Sequence, residues 1–455
     1  MRSLSFAAIV LVACSAPALP PVAPVTTAKV APLPDAVDLA TSLANEVGPR
    51  LAGSPGDAAA VAWGLKTMTS LGFAHVHSEP VPVPVWRRLD ESATVGEAPL
   101  AVTALGGSPS TPADGVFAEV TTVRSLDEVT KAPAAAYQGR IVFFDVAIAR
   151  ARDGSGYGGG AKVRVLGPAA AAAKGALAVL LRSVGTGDDD LPHTGVTKDP
   201  DAPVVAIPSA ALGRASADRL VAALAKDAQT KVRLRIHTER AAEATSANVV
   251  GDVVGMEPGI VLLGAHLDSW DLGRGATDDG CGVGAVLDAA ARVARAGVPR
   301  RTVRVVLFAA EENSGAGAKA YAAAHATDPH VSATEMDAGC GAPYEVRVLA
   351  GPGEATTAIT SAIRRAIVPI PLAEATAEGG ADVQALRVLG VPIIDVRQDM
   401  THYFDMHHTK GDDAAAIDGP ALRVAAQTLA RVALAVARAD GTLGPVPETK
   451  RKRSY

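Results

Sequence analysis

The sequence predicts an α/β fold built in layers, with a smaller β-rich region inserted ahead of the main run of strands and helices. Three observations support that reading. From about Ala247 onward, apolar stretches with strand character alternate with amphipathic stretches of helical length. Between residues 100 and 245 the texture changes to short strands separated by Gly/Asp-rich loops. A chain of 455 residues is also too long for one typical core, so two domains are expected.

The composition is globular, with 48% hydrophobic and 20% charged residues. Aromatic residues make up only 4%, so alanine and valine carry the core through many small contacts. A net charge of −5 provides no basic field, and nucleic acid is not an expected partner. The one basic cluster, "KRKRSY", closes the segment 444–455, which reads as a frayed tail.

The chain opens with "MRS" and the apolar "LSFAAIVLVA", too short to cross a bilayer as a helix. "LVAC" resembles the bacterial lipoprotein cleavage box. Residues 1–14 are therefore expected to be a signal peptide, with Cys14 the lipidated first residue of the mature chain. An ordinary signal peptide with an incidental cysteine is the alternative. The Pro/Ala-rich stretch 15–34 reads as a tether. No later run reads as long and apolar enough to span a membrane. The expectation is an exported protein of the bacterial cell envelope, touching the membrane only through an anchor at Cys14. A periplasmic or secreted protein is the alternative.

Residues 35–99 begin the main domain. "DAVDLATSLANEV" reads as a helix stopping at a Gly/Pro-rich loop, and "DAAAVAWGLKTMTSLGF" as a second helix ending at Gly72. "AHVHSEPVPVPVW" alternates valine with polar residues or proline, the mark of an edge-type strand. In the insert, 100–245, "RIVFFDV" and "APVVAIPS" read as strands and "GPAAAAAKGALAVLLRS" as a helix. "GSGYGG" from Gly154 fits G-x-G-x-x-G, but with no helix close behind it reads as a flexible loop. No G-x-S-x-G elbow supports a serine hydrolase. Residues 246–443 complete the main domain. Its strands are "GIVLLGAH", "TVRVVLFAAEEN", "VSATEMDAG" and "VPIIDVRQ". The helices between and after them are "GVGAVLDAAARVARAG", "GAGAKAYAAAHA", "GEATTAITSAIRRAI" and "DGPALRVAAQTLARVALAVARAD".

Four of these buried strands lead into residues that resist burial. The first ends at His266 and Asp268, the next at Glu311 and Glu312, and the third at Asp337. The fourth runs on to His407 and His408. In open α/β sheets the carboxyl ends of strands form the ligand crevice, so these groups should converge. Any one of them alone is an ordinary loop carboxylate or cap. Together they would repel and lose hydration unless cations join them. Carboxylate plus imidazole without thiolate suits zinc, and the surplus over three ligands suits two metals sharing a carboxylate.

"HLDSWDLGRGATDDGCG", "AAEENSGAGAKAY", "EMDAG" and "HHTKGDD" resemble the signatures of the zinc exopeptidases with two co-catalytic metals. "VHSEPVPVPVWRRLDES", "AAAKGALAVLLRSV" and "PHTGV" extend the resemblance to the carboxypeptidase Q (plasma glutamate carboxypeptidase) branch, over nearly all the chain after the tether. The resemblance implies a three-layer α/β/α fold with a central mixed sheet. It also implies that the insert is a protease-associated domain. It assigns His266 and Asp337 to one zinc, Glu312 and His408 to the other, and Asp278 to the bridge. Glu311 matches the catalytic base and Asp268 the carboxylate that orients His266. Glu311 and Glu312 are expected to face opposite ways, as neighbours in extended chain do. His408 fits the family's spacing better than His407, which reads as a packing residue. Asp413 stands where the family often has threonine.

Asp382 is expected to cap a helix beside the cleft, with a contact to a substrate amine as the alternative. His193 and Tyr403 are candidates to line the pocket. The activity implied is hydrolysis of short peptides, chiefly unblocked dipeptides, by a metallo-exopeptidase with two zinc ions. A broader aminopeptidase acting on longer peptides and a metal-retaining binding protein without turnover are the alternatives. Family membership also suggests a homodimer. Cys281 and Cys340 each follow a metal-ligand candidate by three residues. They are either buried inert thiols or a disulfide bracing the site.

Overall fold

Alternation along the strands sets the layers. In the strand Glu257–His266, Val261, Leu263 and Ala265 enter one hydrophobic core while Ile260 and Leu262 enter another. In Arg301–Phe308, Val303, Val305 and Leu307 join the first core, and Val306 and Phe308 the second. Successive side chains of a strand point to opposite faces, so a sheet buried on both sides needs helices on both. The helices Cys281–Arg295 and Gly419–Ala437 cover one face, and Ala316–Ala324 covers the other.

The computed structural model describes residues 33–452. The expected signal peptide, Cys14 and nearly all of the expected tether lie outside them. From Pro34 onward the chain forms one compact unit. Its 13-stranded sheet is mixed. The strands His330–Glu335, Glu257–His266 and Arg301–Phe308 run parallel, as does Ile393–Gln398 beside the first of them. Pro343–Leu349 closes this edge antiparallel.

The insert differs from its expectation in two respects. First, it continues the same sheet. The 23-residue strand Lys231–Val253 pairs with Arg301–Phe308 at one end and Val116–Val123 at the other. The boundary read at 245/246 therefore falls inside one unbroken strand. Second, the region is α/β rather than mainly β. Val116–Val123, Ile141–Phe144, Ala178–Arg182 and Ser209–Leu212 are parallel neighbours, with helices at Tyr157–Ala172 and Arg214–Lys226. The expected helix at "GPAAAAAKGALAVLLRS" is displaced. It starts in the glycine run read as a loop, ends near Gly175 at φ +79°, and yields "AVLLR" to a strand buried through Leu181. A left-handed glycine ends helices at no steric cost, and the apolar run beyond it is stabilised by burial on both faces.

The strand Ala74–Val95 carries Pro80, Pro82 and Pro84 and pairs along its length with Lys231–Val253, and on its other side with Ala98–Leu100 only beyond the prolines, at Ala93–Val95. Proline has no N–H for a second ladder, which accounts for the edge position. Residues 444–452 are docked rather than frayed. Val446 is fully buried, and Arg387 donates two hydrogen bonds to the Lys450 carbonyl. Gly419–Ala437 has the length and mean hydropathy (1.2) to cross a membrane, contrary to the expectation that no later run would. It packs in the core against Cys281–Arg295.

Candidate metal centre

The parallel strands bring their carboxyl ends to one crevice, and the acidic residues and histidines meet there. His266 closes its strand with its Nδ1 3.0 Å from the Asp268 main-chain carbonyl. The Asp268 carboxylate, expected to make that contact, is farther away at 3.7 Å. It accepts the backbone N–H of Glu311 instead, at 2.9 Å. Asp268 thus orients the ring through its main chain and places Glu311 through its side chain.

With Nδ1 donating to a carbonyl, His266 turns its Nε2 lone pair toward Asp278 Oδ1 at 3.1 Å and Asp337 Oδ1 at 3.9 Å. His408 repeats the arrangement. Its Nδ1 lies 3.2 Å from the Thr194 carbonyl, and Thr194 donates its own N–H back to the His408 carbonyl at 3.0 Å. That clamp holds His408 at φ +62°, a left-handed conformation costing a non-glycine residue about 1–3 kcal/mol. Its Nε2 then faces Asp278 Oδ2 at 3.2 Å and Glu312 Oε2 at 2.9 Å.

Asp278 therefore stands between two groups: His266–Asp278–Asp337, and Asp278–His407–His408. Glu312 joins the second through His408. His407, read as a packing residue, is drawn in as well. Its Nε2 lies 3.5 Å from Asp278 Oδ2, and its ring stacks 3.5 Å from that of His408. Asp278 Oδ2, Glu312 Oε1 and Asp268 Oδ2 are buried without a hydrogen-bond partner. Imidazole lone pairs aimed at carboxylate oxygens repel unless a proton or a cation lies between. The oxygen and nitrogen donors, the unpartnered atoms and the shared carboxylate fit divalent metal ions.

The chain separates Glu311 from Glu312 with a turn, not with extended backbone. The strand ends at Phe308, Ala310 adopts φ +57°, and residues 311–314 form the turn. Glu312 reaches His408, while Glu311 feels the charges of His266, Glu312, Asp337 and Asp268. Burial, with the three acidic neighbours adding to it, holds the Glu311 carboxyl well above its ordinary range. The Glu312 carboxyl is pushed up to about 7, first by burial.

Several positioning residues had no assigned role in the sequence reading: Arg50 carried no signal there, while Asp412, Asp279 and Gly282 lie inside the family motifs. Arg50 is fully buried. It donates from Nε to the Leu267 carbonyl at 2.6 Å and from its terminal nitrogens to Arg274 and Gly275 at 2.7 and 2.8 Å. Its positive charge sits among Asp412, Asp268, Asp279 and Asp278. Asp412 accepts from Thr277 N and Oγ1 at 2.6 and 2.8 Å and from Asp278 N at 3.2 Å, fixing the bridging loop. Burial pushes its carboxyl up to about 6. Asp279 clamps the His266 and Gly282 backbone N–H groups. At Gly282 a Cβ would fall 2.0 Å from the Met336 carbonyl, so only glycine lets the loop lie against the Asp337 strand end. Asp271 pairs with Arg88 at 3.0 Å, and Arg88 in turn donates to Thr194 Oγ1 at 3.1 Å.

Tyr403 donates to Asp337 Oδ1 at 3.4 Å. His193 stands behind His407, its Nδ1 2.7 Å from that residue's carbonyl, and burial lowers it to about 4. Asp382 does not cap a helix. It is 1% exposed with both oxygens unpartnered, beside Glu335, whose burial pushes it to about 8. Cys281 and Cys340 form a disulfide with Cα atoms 5.3 Å apart, which resolves the alternatives left open by spacing.

The model of peptidase family M28 matches residues 248–433. Mouse (Mus musculus) carboxypeptidase Q is 32% identical over 408 residues, 88% of this chain and 85% of that protein. The human (Homo sapiens) protein of that name is 32% identical over 87% of this chain and 84% of its own length. This chain belongs to peptidase family M28. It is a metallopeptidase. A crystal structure of a peptidase M28 precursor from Shewanella amazonensis SB2B is 41% identical, covers 90% of this chain and 95% of that one, and superposes with a TM-score of 0.87. An aminopeptidase from Aneurinibacillus sp. strain AM-1 shares the fold at 22% identity and a TM-score of 0.62. That match covers 90% of this chain and 95% of the other.

Proposed function

We propose that this metallopeptidase is an exported exopeptidase using two zinc ions to hydrolyse short, unblocked peptides, dipeptides above all. The observation that carries the reading is Asp278, whose two oxygens face two imidazole Nε2 atoms held in the ligand tautomer by main-chain carbonyls. His266 and Asp337 would hold one ion, Glu312 and His408 the other, and Asp278 would join them. Zinc bound there would supply an acidified water and polarise the scissile carbonyl. Glu311 takes a proton from water on its carboxylate and returns it to the leaving amine. Burial and carboxylate neighbours raise its affinity for that proton. Asp268 holds the Glu311 backbone, and Tyr403 holds Asp337. The disulfide supports an oxidising compartment, as export requires.

The test compares unblocked dipeptides, N-acetyl dipeptides and tetrapeptides, with and without chelator. Cleavage of the unblocked dipeptides should stop on chelation and return with zinc. Glu311→Gln should lower kcat about a thousandfold. Activity that survives chelation or Glu311→Gln overturns the mechanism. Faster turnover of tetrapeptides overturns the dipeptide preference in favour of a broad aminopeptidase.

A further inference from the structure

Beside the metal centre lies an open cavity of about 530 Å³. Asn313, Ser314 and Lys319, directly after the Glu311–Glu312 pair, form one wall. The loop carrying Lys198 also lines it, and Trp86 and Trp270 give it an apolar side. Lys198 and Lys319 stand at the exposed rim, and neither makes an ion pair among the described residues. The Lys319 ammonium donates only to the Ser314 carbonyl, at 2.9 Å. Lys198 lies within reach of two opposing charges: the ammonium of Lys319 disfavours its own, and the Glu311 carboxylate favours it. Loss of hydration lowers the Lys198 ammonium first, Lys319 adds to that, and Glu311 only partly offsets it. Two cations without ion-pair partners, lining one cavity with Asn313 and Ser314 directly after Glu311 and Glu312, are an arrangement for an anion. A short peptide bound at the centre presents one anion of its own, the C-terminal carboxylate.

We propose that Lys198, assisted by Lys319, binds the free C-terminal carboxylate of the substrate and so sets the preference for short peptides. The proposal rests on the exopeptidase reading above and names the group that enforces its length limit. In this reading a dipeptide bound at the centre presents its carboxylate to these lysines. A longer chain would carry its carboxylate past them.

The experiment uses the full chain with zinc and one unblocked dipeptide, assayed beside the same dipeptide with a C-terminal amide. The wild type should prefer the acid. Lys198→Met should raise KM for the acid about ten- to a hundredfold, the range for a lost charge-assisted hydrogen bond, with kcat little changed. The amide should be cleaved alike by wild type and variant, and Lys198→Arg should recover part of the loss. Equal loss on acid and amide, or no loss on the acid, overturns the subsite. A wild type that cleaves the two equally also overturns the subsite and leaves the exopeptidase reading standing. A wild type that cleaves neither overturns both.

Discussion

Two sets of parallel strands in this molecule end at crevices, and their ends are furnished differently. In the insert the ends carry Asp145, Arg182 and Arg214 around a cavity of about 470 Å³. These charges pair with neighbours: Arg182 with Asp145 at 2.7 Å and Asp218 at 2.8 Å, and Arg214 with Asp188 at 3.1 Å. In the main part the ends carry His266, Glu311, Glu312 and Asp337. There the buried Arg50 gives its donors to backbone carbonyls. Buried oxygens at Asp278 and Glu312 are left without partners. The same topology thus gives one region whose charges satisfy each other and one whose charges await a ligand. Topology provides the crevice, and the unmatched donor set marks the site.

Substitutions should separate the two regions. The largest effect is expected from Arg50→Met. It leaves the carbonyls of Leu267 and Arg274 unpaired, takes one of two donors from that of Gly275, and removes a buried positive charge near four aspartates. Unfolding by denaturant should show a loss of about 3–5 kcal/mol. A loss below 1 kcal/mol, on that same scale, would mean the acidic loop holds itself. Next comes Cys281→Ser with Cys340→Ser. The disulfide closes a loop of 59 residues next to Asp278 and Asp337, and its removal should cost about 2–4 kcal/mol in the same assay. In the insert, Arg182→Met breaks partly exposed pairs and should cost about 1 kcal/mol with no change in bound metal. A fall in metal content would show that the insert's strand ends also serve the centre.

The smallest effect concerns pH. The Glu312 and Glu335 carboxyls are raised to about 7 and 8, and His266 and His408 are raised well above the ordinary imidazole value, so the folded, metal-free protein keeps protons that the unfolded chain has released. That stability is present at lower pH and is lost as pH rises through these values. The Tm of the chelated protein should therefore fall between about pH 6.5 and 8.5, and zinc should flatten the dependence. A Tm that rises over that window contradicts the crowding described here.

The strand ends were legible because an apolar run closing in His or Asp states its own direction, as "GIVLLGAH" does. Arg50 was not, and Asp412 stood inside "HHTKGDD" without an assigned role. Each acts on a loop some 130 to 220 residues away through main-chain contacts that leave no periodic trace. The continuity of the sheet was hidden for a related reason. The polar middle of Lys231–Val253 reads as a break in pattern, yet the edge strand Ala74–Val95 pairs with it throughout. The start of Tyr157–Ala172 was hidden by its glycines, two of which, Gly160 and Gly167, leave room for Val184 and Phe144 to pack closely.

Counting metal ions per chain decides between a shared-carboxylate pair and any simpler site. Elemental analysis of the zinc-loaded protein should give about two ions for the wild type. Asp278→Ala should lose most of both, because that residue serves both groups. One ion in the wild type, or two retained in Asp278→Ala, would contradict the bridging role of Asp278.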